Sequence, residues 1–442
     1  MEDPAVLFLI CLVLAMSVFL ITLISTDAAI IFLIFSMLLS PEIGLGVVSN
    51  RAVAIRFDDL LLGVVFVTWL AKLAINKQLG FLRSTPLNAP LGMFIASYVA
   101  STAWGVLNGT VERPLASFFY FLKYFEYFFL FFMAANVIRE RRQVERFLKA
   151  MAITAVCVCL YAYWQLLHYG MAYRVSAPFE GKAEPNTLAG YLVLMLAICG
   201  GLLLYTRSAF QRLALIGVMI LIVPPFLYTY SRGGYLAFLV MYLTLCIVST
   251  RYRPLLWGLL VLGIMVVPMI LPATVFQRIA STFDPRGAIQ VGGLRLAQSP
   301  AARLTVWRFI FERWKEHPIL GFGVTGIGFV DSQYALEIGE GGLIGVAMTL
   351  WVRWQLFLIG YRAFRQGSGS LMKGLSLGFL AGFVGLLVHA MSGNVFIIVR
   401  IMEPFWFLTA VVTVLPSIVP PAASVPSVLN ASRRLSVAPA GA

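Results

Sequence analysis

The chain has 442 residues, of which 60% are hydrophobic and 12% charged, with a formal net charge of +14. A soluble domain sits nearer half apolar and a quarter charged, so this composition excludes an ordinary soluble globular enzyme. The positive excess does not call for nucleic acid as a partner, because cytoplasmic loops of membrane proteins are enriched in Lys and Arg.

Runs of roughly 20 mostly apolar residues, enough to cross a bilayer, recur from end to end. Predicted spans cover roughly 5–24, 27–40, 59–75, 89–107, 115–137, 150–168, 186–205, 213–230, 234–249, 254–272, 338–360, 371–391 and 394–416. The expected fold is all-α: a polytopic transmembrane helical bundle of about 12–13 spans. One large extracytoplasmic loop carries an interfacial amphipathic helix. Four segments follow: transmembrane helices over 1–272, the loop at 273–337, further transmembrane helices over 338–416, and a flexible cytoplasmic tail over 417–442. The N-terminal MEDPAVLF lacks the basic start of a signal peptide, so its apolar run is expected to stay as a helix.

Basic clusters orient the bundle. Arg139, Arg141, Arg142, Arg146 and Lys149 are assigned to the cytoplasm. So are Arg207 with Arg212, Arg251 with Arg253, and Arg362 with Arg365 and Lys373. The far side then receives 169–185, the turn at 231–233, the loop 273–337 and a turn near 392. Thirteen spans would place the N-terminus outside; if the first two form one element, it lies inside. The five cysteines (Cys11, Cys157, Cys159, Cys199 and Cys246) all fall in apolar runs without metal-ligand spacing, so neither a metal nor a disulfide is expected.

In chain order, the outer stretches supply the candidate chemistry. YRVSAPFEGKAEPNTLAGYL contains Arg174, then Glu180, Lys182 and Glu184 before a span capped by Asn186. YTYSRGGYLAF holds Arg232 in a tight turn at the membrane surface, where snorkelling to headgroups is the simplest role. The loop 273–337 retains Arg278, Arg286, Arg295, Arg303, Arg308, Arg313 and Lys315 on the side where orientation does not require them. Within it, SPAARLTVWRFIFERWKEHP reads as a helix with Ser299 as N-cap and Pro300 in the first turn. Leu304, Trp307, Ile310, Phe311 and Trp314 form its apolar stripe, and Arg308 lies on the polar side as a candidate anion contact. Arg303 falls within the apolar stripe. A charge directed there needs an anionic partner, because unpaired in hydrocarbon it costs at least about 2.5–3.5 kcal/mol. Three outer arginines suit a phosphate or diphosphate, which a guanidinium grips bidentately.

VDSQYALEIGEGGLIG follows. With a helix starting near Asp331, Ala335, Ile338, Gly342 and Gly345 share a small-residue face, which turns Asp331 into the bundle and Glu337 and Glu340 elsewhere. An inward acid is either a counter-ion or a base. GFGVTG at Gly321–Gly326 lacks a βαβ setting and reads as a turn. Lys123 with Glu126, and Arg400 with Glu403, are expected to neutralise each other. His389 is expected to be a hydrogen-bonded core residue.

EPNTLAGYL, YSRGG, ARLTVWRFIFERWKEHPILGFG and VDSQYALEIGEGGLIG, in this order, resemble the O-antigen ligase and polymerase family of membrane glycosyltransferases. The resemblance implies transfer of a glycan from an undecaprenyl-diphosphate-linked oligosaccharide to an acceptor glycan hydroxyl. The setting would be the periplasmic face of the bacterial inner (plasma) membrane, among membrane lipids, with no metal, cofactor or nucleotide sugar. It places Arg232 and Arg303 with Asp331 in the catalytic set, and Arg174, Asn186, Arg308, Tyr334 and Glu340 in substrate binding. Ligases of the family usually carry a histidine where Asp331 stands. That departure favours a polysaccharide polymerase over a ligase acting on lipid A-core. A lipid-linked oligosaccharide flippase is the rival from another class, but the internal repeat expected of a transporter is not visible.

Overall fold

The computed structural model describes residues 16–48, 51–75, 83–270, 273–280, 289–291, 294–296, 298–328 and 330–418. Helix α1 covers 16–24, followed by α2 (Thr26–Leu39), a β1–β2 hairpin (Glu42–Val48, Arg51–Arg56) and α3 (Phe57–Ile75). Helices α4 (Asn88–Leu107), α5 (Pro114–Val137), α6 (Arg141–Tyr169), α7 (Pro185–Tyr205), α8 (Ala209–Tyr228), α9 (Arg232–Val248) and α10 (Arg253–Ile270) come next. After them the chain forms α11 (Ala273–Ala280), the short hairpin β3–β4 (Ile289–Val291, Leu294–Leu296) and α12 (Gln298–Trp314). It closes with α13 (Gln333–Gln366), α14 (Ser370–His389), a single 3₁₀ turn (Val395–Ile397) and α15 (Val399–Ile418).

Among the described residues, eight helices (α4–α8 and α13–α15) are long and apolar enough to cross a membrane. This is a multi-pass membrane protein with an all-α bundle. The shorter apolar helices Thr26–Leu39 and Arg232–Val248, with the Arg253–Val266 part of α10, match three further expected spans. The first expected span lies mostly outside the described residues, as does the expected tail beyond Ile418. The two antiparallel hairpins and α11 were not foreseen. Glycines at 44 and 46 interrupt the β1–β2 register and conceal its alternation in sequence.

Local chemistry sets the boundaries. Ser25 caps α2 by accepting from Ala28 N at 3.2 Å, and Ser231 caps α9 by accepting from Gly234 N at 3.1 Å. Pro114 and Pro185 occupy first-turn positions where no backbone donor is needed. Asn186, expected as the cap of α7, sits inside it, because Glu184 holds the cap position.

Helices α7 and α14 are buried on nearly all sides and form the centre. Small residues allow their backbones to meet: a Cβ on Gly374 would lie 2.9 Å from Gly201 O, and one on Gly378 would lie 2.6 Å from Ala197 O. Without a hydrophobic force between helices in lipid, such close contact is what holds them together. Exposed apolar side chains cover most of α8 and α10.

The opening stretch of α13 departs from the continuous helix expected. Gly342 sits at φ 58°, ψ −159°, breaking α13 into an outer segment before it and a long one after it. The freed backbone groups are paired by GFGVTG and the residues just before it. Phe322 N and Gly323 N donate to the carbonyls of Gly339 and Glu340 at 2.9 and 3.0 Å. Leu343 N and Ile344 N donate to the carbonyls of Pro318 and Ile319 at 2.9 and 3.1 Å. A broken helix is tolerated inside a membrane only when its backbone is satisfied in this way. The turn expected at Gly321–Gly326 is therefore a backbone clasp on α13.

Two expected ion pairs have other partners. Lys123 Nζ makes its short contact with Asp59 at 2.8 Å, while Glu126 acts on it as a nearby opposite charge. Arg400 pairs with Glu42 at 3.2 Å and donates to the carbonyls of Leu38, Ser40, Pro178 and Phe179, not to Glu403. The first turn of α3 supplies the acceptor for Lys123, and the hairpin with the 178–179 loop supplies those for Arg400.

Candidate functional site

The site is assembled at the bundle end opposite the basic clusters. The α8–α9 turn comes first. Tyr230 adopts φ 50°, and its hydroxyl donates to Met171 O at 2.7 Å and contacts Thr274 Oγ1 of α11 at 2.8 Å. Val175 N and Arg174 Nε donate to the carbonyls of Tyr228 and Thr229, both at 3.1 Å. One tyrosine, one backbone bond and one arginine side chain thus tie the 170–175 loop, α11 and the start of α9 together.

That knot concentrates positive charge. Arg174, Arg278 and Arg303 all act on Arg232 as like charges, and Arg278 also acts on Arg174. Partial burial, with Arg278 nearby, holds the Arg174 guanidinium below its ordinary value. Arg278 was not singled out from sequence, where it was one of several loop charges. Only the unexpected α11, fixed by Tyr230, sets it beside the others.

Arg303 and Asp331 meet as an ion pair at 3.6 Å. Arg303 Nη2 also donates to Ser392 O at 2.7 Å, while its buried Nε has no hydrogen-bond partner. Asp331 does not point into the bundle as expected. It precedes α13, its side chain is 53% exposed, and it faces Arg303 and the backbone of Gly393. The inward acids are Glu337 and Glu340, because the helix starts two residues later than assumed and breaks at Gly342.

The 389–396 turn completes the cluster. Gly233 lies so close to Ser392 that a Cβ there would collide with its side chain. His389 packs between Gly190 and Gly233, fully buried, with neither ring nitrogen hydrogen-bonded. It is not the satisfied core histidine expected.

The remaining candidates are placed elsewhere. Arg308 is exposed, about 140° round α12 from Arg303 at about 100° per residue. Of the apolar stripe on α12, Ile310 is buried against Phe322, Ile327 and Val330, whereas Leu304 and Phe311 remain exposed. Glu340 is buried, accepting from Thr325 N at 2.9 Å and Tyr124 Oη at 3.3 Å, which makes it a brace of the clasp. The Tyr334 hydroxyl donates to Leu387 O at 2.6 Å. Asn186 is half-buried in α7, four residues before Gly190 and so on the same helix face.

The loop that carries Arg174 is also sensitive to pH. Burial pushes the Glu180 carboxyl up to about 8, against the pull of Glu184 N and Arg400, with Glu42 and Glu184 adding like charge. The folded state therefore binds a proton that the unfolded chain releases near pH 4.5. Stability from this group is complete below that value and is lost as pH rises towards 8. Thermal unfolding in detergent is expected to show the decline between pH 5 and 9, and Glu180→Gln should flatten that component.

Fold and site together define a multi-pass membrane protein that presents a cluster of arginines with the exposed carboxylate of Asp331 at one end of its bundle. Residues 225–345 match the family model described as O-antigen ligase, so over this segment the chain is similar to that family. The matched segment runs from the end of α8 through Arg232, Arg278, Arg303 and Asp331 to the kink of α13. No curated protein matches the chain.

Proposed function

We propose that the protein is a polysaccharide polymerase of the bacterial inner membrane. It transfers a glycan from an undecaprenyl-diphosphate-linked oligosaccharide to the hydroxyl of an acceptor glycan on the outer side. The observation that carries this reading is the convergence of Arg174, Arg232, Arg278 and Arg303 around a tethered turn, with Asp331 at 3.6 Å from Arg303. A diphosphate is the ligand whose charge and oxygen geometry such a cluster fits. The basic clusters at the other end are cytoplasmic by the positive-inside bias, which puts the site outside.

In the reaction, the acceptor oxygen bonds to the anomeric carbon as the bond from that carbon to the diphosphate oxygen breaks. The arginines stabilise the charge arriving on the departing diphosphate. An exposed ion pair contributes little to stability, so Asp331 is readily displaced from Arg303. The incoming diphosphate takes its place, and the freed carboxylate accepts a hydrogen bond from the acceptor hydroxyl and orients it. The hydroxyl proton leaves to Asp331 or to the diphosphate. Metal and nucleotide sugar have no part in this scheme.

The decisive assay is purified protein in detergent with lipid-linked oligosaccharide. Chain lengthening is the expected product. Transfer onto lipid A-core alone would make it a ligase. Movement of the lipid across a vesicle without any product would make it a flippase. In the same assay, Asp331→Asn is expected to reduce turnover about 10²-fold or more, within the range for a general acid–base group. Wild-type turnover in that variant would remove Asp331 from the mechanism.

A further inference from the structure

Arg353 and Glu337 are 16 residues apart on α13, which on a straight helix is about 24 Å along the axis. The kink at Gly342 brings them into contact: Arg353 Nη1 and Nη2 donate to Glu337 Oε2 and Oε1 at 2.8 and 2.5 Å. Both side chains are at most 10% exposed. The guanidinium is flanked by the rings of Tyr334 and Phe396, whose centroids lie 5.0 and 4.8 Å away.

This buried pair is connected to the two chain segments that make the site. Glu337 Oε1 also accepts from Gln333 Nε2 at 2.7 Å. Gln333 Oε1 in turn accepts from Phe396 N at 3.1 Å, and Gln333 N donates to Ala390 O at 3.3 Å. Asn394 Nδ2 donates to Val330 O at 2.6 Å. The 330–333 segment, which carries Asp331, is thereby fastened to the 390–396 segment, whose Ser392 carbonyl holds Arg303. Both are anchored on one guanidinium beneath them. The neighbouring cavity measures about 60 Å³, room for several waters at roughly 10–15 Å³ each.

We infer that Arg353, through Glu337 and Gln333, is a positioning residue that sets Asp331 and Arg303 relative to each other. The inference rests on the transfer reaction proposed above only for its kinetic arm. Two discrete elements are held by one bidentate pair, and a bidentate fork fixes orientation as well as distance. Loss of the fork lets the segments shift, and displacement of about 1 Å at a reacting pair lowers turnover about 10²-fold.

Removing one partner leaves a buried charge uncompensated and threatens folding, whereas replacing both often leaves stability intact. The test is therefore the double variant Glu337→Gln/Arg353→Met in the full chain, alongside Arg353→Lys. Amide hydrogen exchange over 330–336 and 390–397 is expected to accelerate about 10-fold or more, while the interiors of α7 and α14 keep their protection. In chain extension, kcat is expected to fall about 10- to 100-fold, with KM for the lipid-linked donor within about 3-fold of wild type. Arg353→Lys keeps the charge but not the fork or the flat face, and should show the same pattern in milder form. Unchanged exchange in both segments overturns the inference. So does faster exchange with normal kcat, or a raised KM at constant kcat. If the double variant fails to fold, Arg353→Lys decides by the same measurements. A wild-type protein with no transfer activity sinks the proposed reaction, and the exchange measurement still judges the brace.

Discussion

Arg303→Ala is expected to lower glycan transfer about 10²- to 10³-fold, the effect of removing one preorganised donor to developing charge. Expression in the membrane and apparent melting temperature should stay near wild type. Arg303 is only partly buried, and its pair with Asp331 is exposed, so folding does not depend on it. The residue combines three roles. Its Nη2 is held by Ser392 O, its Nε has no protein acceptor, and its charge acts on Arg232. In the proposed reaction, this anchored guanidinium would receive an oxygen that arrives with the substrate. Arg303→Lys keeps the charge but supplies a single point donor in place of a planar fork. It is expected to remain impaired by at least about 10-fold, as the loss of a charge-assisted hydrogen bond would give. Normal activity in the lysine variant would show that charge alone suffices, and normal activity in the alanine variant would remove the diphosphate site from this end of the bundle.

Arg303 was visible in the sequence for a physical reason. A positive charge inside an apolar stripe, on the side where membrane orientation does not require it, conflicts with two rules at once. Arg232 in its tight turn and Arg174 before α7 stood out only as further arginines on the same outer side. Arg278 obeyed no such pattern, and its place depends on Tyr230 fixing α11. The spans themselves followed from hydropathy, since a bilayer imposes a length on every apolar run.

The region around α13 was misread because helical periodicity carries a residue's face forward only while the helix continues. Gly342 ends that continuity after nine residues. Asp331, assigned inward, stays outside at the helix start, while Glu337 and Glu340, assigned elsewhere, become the buried acids. The pairing of Glu337 with Arg353 could not be found by spacing, because 16 residues is no helical contact distance. His389 was misjudged for a related reason. Its surroundings come from Gly190 and Gly233 on other helices, and a sequence gives no sign of which backbones will leave its ring nitrogens without partners.

Gly342→Ala is expected to lower stability sharply. At φ 58°, ψ −159° the backbone occupies a region essentially restricted to glycine, and strain of this kind costs about 1–3 kcal/mol. The added Cβ would also meet Gly321 N and Ile319 O, each at 2.5 Å. Neither contact can yield alone, because a Cβ on Gly321 would itself lie 2.6 Å from Gly342 N and those backbones already hold the hydrogen bonds of the clasp. Relief requires opening the clasp, which exposes unpaired N–H and C=O groups where water is scarce. The apparent melting temperature in detergent is expected to fall by many degrees, with a reduced monodisperse fraction. Gly217→Ala is the matched control: it lies in α8 with open space around its Cβ position. Gly in a helix interior is about 0.8–1.0 kcal/mol less favourable than Ala, so that variant should be neutral or slightly more stable. Equal melting of the two variants would show that the clasp is not rigid, and would also loosen the argument that the kink alone brings Arg353 to Glu337.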